Sequence, residues 1–314
     1  MSLTRRAFGG MAAASLAASA LGARSWAAAP PAMPAGAVDC HNHIMGATGK
    51  YPYAADRVYT PPEAPVSALK ALRAEIGTSR NVLVTPSVYG TDNRCLVDAL
   101  AELAGSARGI AVLPLDVPDA ELRRLDAAGV RGIRISLGGT GRYDSKTAPA
   151  ALSSFATRFA PLGWNIEVVG NLTALMPMAP AMAYLTVPVV IDHFAGANGG
   201  DGVKQEGFGA LLELVRGGNA YVKLSAPYNR SKRADYSDML PLARALIEAG
   251  PDRMLSGTNW PHPDQIAGRP ISEVTPYHRI DNKNLVRLLA EWCPDAATRK
   301  TILVDTPARL YRFG

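Results

Sequence analysis

"AVDCHNH", residues 37–43, opens apolar and ends in two histidines placed two apart. On a β-strand that spacing turns both rings to the same face. Comparable short runs recur: "NVLVTPS" (81–87), "GIAVLPL" (109–115), "GVRGIRIS" (129–136), "NIEVVG" (165–170), "VPVVIDH" (187–193), "AYVKLS" (220–225) and "RMLSGTNW" (253–260). Between them lie stretches with apolar residues at helical spacing, among them "APVSALKALRAEIG", "TDNRCLVDALAELAG", "NLTALMPMAPAMAYL" and "EGFGALLELVRGG", several stopping at a glycine. Eight strand–helix units over residues 36–314 predict an α/β fold, a single-domain (β/α)8 TIM barrel. A doubly wound open sheet is the structural rival, but no G-x-G-x-x-G follows the first run, so dinucleotide binding has no support. At the end of the chain "DTPARLYRFG" predicts a short helix with Thr306 as N-cap and Pro307 in its first position.

With 48% hydrophobic and 19% charged residues, the 314-residue chain has the composition of an ordinary globular protein. The first 38 residues contain no Asp or Glu, and "LTRRAFGG" (3–10) precedes a run rich in Ala, Gly and Leu. This layout predicts a cleavable twin-arginine signal over residues 1–29, hence the Tat export machinery as a partner and the periplasm as destination. The run is too weakly apolar, and broken by Gly9 and Gly10, to predict a membrane span. Loss of Arg5, Arg6 and Arg24 with the signal takes the formal net charge from +6 to +3, so no nucleic-acid partner is expected. Cys40, Cys95 and Cys293 show no C-x-x-C spacing and read as buried small hydrophobes, with a Cys40–Cys95 pairing left open.

Of the five histidines, His41, His43 and His193 fall at the ends of the first and sixth strands, and His262 follows the eighth. The C-terminal ends of all barrel strands surround one mouth, so residues 150 positions apart can meet there. Ser87, Tyr89, Arg134, Glu167, Lys223, Ser225 and Asn259 fall at the same end. Ser87, Tyr89, Arg134, Lys223, Arg230 and His262 are the candidate substrate-binding residues, with Tyr51 and Tyr228 as further lining. For Arg134 and Lys223 a structural ion pair with Glu167 is the competing explanation, because a buried charge needs a partner whatever its function.

"VDCHNHIMG", "AGVRGIRIS", "VPVVIDHFAG", "VKLSAPY", "PDRMLSGTNWPHP" and "ILVDTPARLY", in that order, resemble the amidohydrolase superfamily. Within it they are similar to the branch of 2-pyrone-4,6-dicarboxylate lactonase and the sugar-lactone lactonases and isomerases. The resemblance implies a barrel acting on a small carboxylated lactone, with His41, His43, His193 and Asn259 as the catalytic set. It also implies an Asp where Asn259 stands, and often an Arg where Gly196 stands.

Three imidazoles could ligate Zn²⁺, but the anionic ligand of the eighth strand is absent and Arg134 would repel a dication, so no metal or other cofactor is expected. His41 and His43 would then donate hydrogen bonds to the lactone carbonyl. A neutral amide at 259 can orient water but cannot deprotonate it. Three explanations stand open: the proton goes to His193, His262, Glu167 or Asp264, with His193 preferred; the reaction is not water-driven; or the pocket is kept for binding only. The expected function is lactone hydrolysis, with a lactone isomerase or a catalytically weakened periplasmic dicarboxylate binder as alternatives.

Overall fold

A computed structural model describes residues 32–137, 146–266 and 268–314. The expected signal segment lies outside them. Eight strands, β1 (Val38–Asn42), β2 (Arg80–Val84), β3 (Ala107–Ala111), β4 (Val130–Ser136), β5 (Asn165–Val169), β6 (Val189–Ile191), β7 (Ala220–Ser225) and β8 (Met254–Gly257), each pair in parallel with the next. The ring closes just past β8, where the Asn259 N–H donates to the His41 carbonyl at 2.9 Å and the His43 N–H to the Trp260 carbonyl at 2.8 Å. This is the TIM barrel expected from the spacing of the runs. Several strands end earlier than their apolar runs. Residues 85–87, 112–115, 192–193 and 258–259 follow the regular strands as irregular segments at the C-terminal end of the barrel.

The strands are wrapped by helices α1 (Val66–Ile76), α2 (Arg94–Glu102), α3 (Asp119–Ala127), α4 (Ala148–Phe159), α5 (Leu172–Leu175), α6 (Ala179–Ala183), α7 (Phe208–Arg216), α8 (Leu240–Ala249), α9 (Asn282–Trp292), α10 (Ala296–Lys300) and α11 (Thr306–Tyr311). Two helix expectations need correction. The run 171–185 is not one helix: Pro177 and Pro180 lack an N–H, and a 3₁₀ turn at Met176–Met178 separates α5 from α6. Thr306 is not an N-cap, because a π-helical turn at Thr301–Asp305 runs into α11 without a break and leaves no free helix end. No helix among the described residues is long and apolar enough to cross a membrane.

One irregularity decides where the first-strand histidines point. Asp39 pairs with Asn81 and Asn42 with Leu83, so β1 takes three steps while β2 takes two. The extra residue is a β-bulge, which re-aims side chains beyond it. Val38 and Cys40 pack inside the lower barrel with Val82, Ile110 and Leu255, and Leu310, Tyr311 and Phe313 join them there. Past the bulge His41 also turns inward, while Asp39 and Asn42 turn outward. Asp39 there accepts from the Thr258 N–H at 2.8 Å, the Thr258 hydroxyl at 2.7 Å and the Asn42 amide at 2.8 Å, which ties β1 to the end of β8. Cys40, Cys95 and Cys293 are all buried and free, so the Cys40–Cys95 pairing is not formed.

At the seam the two backbones approach closely enough to require glycine. A Cβ on Gly257 would lie 2.8 Å from the His41 Cβ and 2.9 Å from its backbone nitrogen. Gly257→Ala is expected to lower stability by about 1–3 kcal/mol. Gly209, inside α7, has open space around it. Gly209→Ala should be neutral or stabilise by about 0.5–1 kcal/mol. Urea denaturation of both variants checks the pair; equal effects would mean that the seam is not tightly packed.

Candidate active site

The C-terminal strand ends open into a cavity of about 660 Å³ lined by His43, Tyr59, Ser87, Arg134, His193, Arg230, Asn259 and His278, among others. His41 lies directly beneath. Its ring centroid is 4.9 Å from that of His43 and 4.6 Å from that of His193. The imidazoles of β1 and β6 therefore converge with Asn259 at one end of the barrel.

The hydrogen bonds of these rings constrain their protons. Nδ1 of His43 is 2.8 Å from the Val84 carbonyl, which can only accept. The neutral ring spends its one proton on that bond, so its Nε2 is an acceptor. The expectation that both first-strand histidines donate to a carbonyl is thereby corrected for His43. Burial, reinforced by the Arg134 charge, lowers the pKa of His43 to about 3. Burial likewise takes His193 to about 4 and holds His41 well below the ordinary histidine value. All three rings are neutral at pH 7. His193 lines the cavity with its Nδ1 held 2.8 Å from the Ser225 hydroxyl.

His193 begins a turn with unusual backbone geometry: His193, Phe194, Ala195 and Gly196 have φ of 52°, 56°, 55° and 68°. Successive left-handed residues cost roughly 1–2 kcal/mol each for non-glycine side chains, and such strain collects at functional sites. A Cβ at Gly196 would meet the Asn171 Cα at 2.7 Å and the Gly170 carbonyl at 2.8 Å. In this backbone, position 196 has no room for an arginine.

Below the imidazoles lies a buried charge cluster. Arg134 directs Nε and Nη2 to Oδ2 of Asp192, both at 2.9 Å, and Lys223 contacts Glu167 directly. Burial and the Asp192 charge push Glu167 up to about 8. Burial opposes ionisation of Asp192 too, but Lys223, His41 and Arg134 together outweigh it and hold its carboxyl well below the usual range. His41, Asp192 and His193 could each offer a ligand atom within 4.8 Å of the others. A dication does not suit this set. Asp192 is already shared by Arg134 and Lys223, and the four charged groups sum to zero with Glu167 ionised and to one positive charge with it protonated. An added divalent charge would be uncompensated in a buried site.

Asn259 adopts φ 64°, a left-handed conformation that asparagine tolerates. Its amide nitrogen is 2.9 Å from the Tyr228 hydroxyl, which is 3.1 Å from Nδ1 of His262; Nε2 of His262 is 2.9 Å from Oδ1 of Asn282. With Asn282 accepting, the donors all run one way: Asn259 to Tyr228, Tyr228 to His262, His262 to Asn282. The chain turns the Asn259 amide nitrogen away, and leaves Oδ1 as the atom it can offer to the cavity.

The family profile described as amidohydrolase matches residues 38–313. The chain belongs to the amidohydrolase family. It is 36% identical over 289 residues to a 2-pyrone-4,6-dicarboxylate hydrolase of Comamonas testosteroni, covering 89% of this chain and 91% of that protein. It is 33% identical over 284 residues to a 4-sulfomuconolactone hydrolase of Hydrogenophaga intermedia, covering 89% of each. A crystal structure of a protein from Agrobacterium tumefaciens superimposes with a TM-score of 0.76 at 25% identity, over 90% of this chain and 98% of that one. Both relatives are hydrolases of lactone-type substrates.

Of the candidates named from the sequence, His43, His193, Asn259, Ser87, Arg134 and Arg230 line the cavity. Three substrate-binding assignments are corrected. Lys223 is wholly buried beneath His41, paired with Glu167; Tyr89 is buried with its hydroxyl accepting from the Gly46 N–H at 3.0 Å; His262 stands behind Tyr228. Tyr51 instead pairs with Asp98. Asp192, Tyr59 and His278 escaped notice. The signal for Asp192 is a carboxylate closing the apolar run "VPVVIDH", whereas Tyr59 and His278 sit in long loops that carry no periodicity. Removing the hydroxyl with Tyr228→Phe would leave the Asn259 amide and His262 Nδ1 unpaired. We expect a stability loss of about 1–3 kcal/mol by denaturant titration; no loss would mean that the chain carries no weight.

Proposed function

We propose that the protein is a metal-independent hydrolase that opens the ring of a small carboxylated lactone, acting in the periplasm after twin-arginine export. The observation that carries this reading is the division of one cavity. Neutral imidazoles and the Asn259 oxygen line one part of it, while Arg230, whose guanidinium makes no hydrogen bond or ion pair among the described residues, stands in its wall. Half-buried and without a carboxylate, Arg230 suits a carboxylate of the substrate. The names of the relatives from Comamonas and Hydrogenophaga, both lactone-type hydrolases, support the substrate class. Arg5-Arg6 and the acid-free N-terminus support export.

In the proposed reaction, Asn259 Oδ1 accepts from a water and aims it at the lactone carbonyl. His193 takes the proton as the oxygen attacks. The oxyanion forms beside Arg134, whose side chain lines the cavity above His41. When the ring C–O bond breaks, the departing oxygen recovers the proton from His193, so one water is added overall. His193 is a modest base because burial lowers its pKa, yet for the same reason it is unprotonated throughout the neutral range.

The test is a pH-stat assay of chelator-treated protein against a panel including 2-pyrone-4,6-dicarboxylate. Turnover should survive metal removal, and Arg230→Met should raise KM roughly 10- to 100-fold with little change in kcat. Protonation of His193 abolishes the base, so log kcat/KM should fall only as pH drops through about 4, with no limb near 6.5. Activity lost to the chelator and restored by zinc would overturn the metal-free mechanism; no turnover of any lactone would overturn the reading itself.

A further inference from the structure

We propose that Lys223 is a positioning residue that holds His41 in the tautomer protonated at Nε2, so that the ring's only proton is donated to His43, whose ring lines the cavity floor. The inference rests on the lactonase reading for its kinetic consequence, while the tautomer itself is a property of the unliganded protein.

Three contacts converge on this assignment. His43 has a bare Nε2, because its Nδ1 donates to Val84. That Nε2 is 3.3 Å from Nε2 of His41. Two lone pairs facing at this distance would repel, so His41 must carry its proton on Nε2 and leave Nδ1 bare. The donor near that Nδ1 is Nζ of Lys223, at 3.0 Å. The Lys223 ammonium donates to Oε2 of Glu167 and to Nδ1 of His41, and it pairs in charge with Oδ1 of Asp192 at 3.4 Å. All three groups are fully buried, so no solvent competes.

The alternative tautomer has a visible claim, which is why a positioning residue is needed. Oδ1 of Asp192 and Oε1 of Glu167 lie 3.2 and 3.6 Å from the same Nδ1, and neither oxygen has a hydrogen-bond partner among the described residues. Left to the carboxylates, His41 would protonate at Nδ1 and present a lone pair upward, next to the lone pair of His43. The two facing rings would then repel, and His43, which lines the cavity, would lose the donor that fixes it. Lys223 tips this balance by making Nδ1 an acceptor. Its conversion from an expected substrate contact to a residue acting through His41 also separates two kinetic outcomes: a substrate contact moves KM, a positioning residue moves kcat.

The test uses full-length protein labelled with ¹⁵N in histidine and lysine. In the wild type, long-range ¹H–¹⁵N correlation should show His41 protonated at Nε2, with a through-hydrogen-bond coupling between its Nδ1 and Nζ of Lys223. Protonation at Nδ1 would overturn the proposal without reference to any substrate. In Lys223→Met, the proton should move to Nδ1, and kcat should fall about 10²-fold, the order of loss expected when an imidazole of the cavity is misplaced, with KM within a factor of two. Retention of Nε2 protonation in that variant, or a raised KM at unchanged kcat, would equally overturn it. Should the variant fail to fold, the wild-type spectrum decides alone. Failure of the lactonase reading would appear differently, as a correct tautomer in a protein that turns over no lactone.

Discussion

The hydrogen bond from the Asn259 N–H to the His41 carbonyl is the constraint on which the rest of the molecule depends. It completes the cylinder between the first and last strands, and it sets the backbone of the amide beside the backbone of the imidazole. Gly257 permits the approach, and the buried Asp39–Thr258–Asn42 knot on the outer side holds it. Closure and assembly of the site are thus one event. A barrel with a loosened seam would lose the geometry of the reacting groups before it lost its hydrophobic core, because that core lies mostly between the strands and the surrounding helices.

Above this seam the protein buries an unusual density of charge. Arg134, Glu167, Asp192 and Lys223 lie in the barrel among neutral imidazoles, and isolated burial of any of them would be prohibitive. Mutual neutralisation makes the cluster tolerable, and it also defines what the site can hold. Asp192, the carboxylate nearest the imidazoles, is already shared by Arg134 and Lys223, so a dication placed there would lack a compensating charge. A neutral carbonyl that becomes an oxyanion, by contrast, moves toward a floor that is neutral or positive, and this is the direction in which ester hydrolysis shifts charge.

The barrel was legible because its period is simple: eight apolar runs separated by helical stretches admit few topologies, and the strand ends nominate the residues of one mouth. His41, His43, His193 and Asn259 could be gathered on that basis. Roles were harder. The bulge between Asp39 and Asn42 has no marker in "VDCHN", since every residue of it is compatible with regular strand. Lys223 looked like a substrate contact because its charge is visible in the sequence while its depth is not. Tyr89 misled for a related reason: a residue just past a strand can continue into the mouth or turn back onto a helix, and the 3₁₀ turn at Ser87–Tyr89 turns it back. Gly196 reads as a lost arginine in the sequence, whereas the left-handed turn shows that the backbone itself excludes a side chain there.

The account's central claim is that water, activated without a carboxylate at position 259, adds to a lactone carbonyl in this cavity. It is tested most directly by single-turnover reaction of a carboxylated lactone in ¹⁸O-enriched water, with the product read by mass spectrometry. The account predicts one ¹⁸O in the newly formed carboxylate and none in the released hydroxyl. A rearranged lactone free of label, or substrate recovered unchanged from a bound complex, would contradict it.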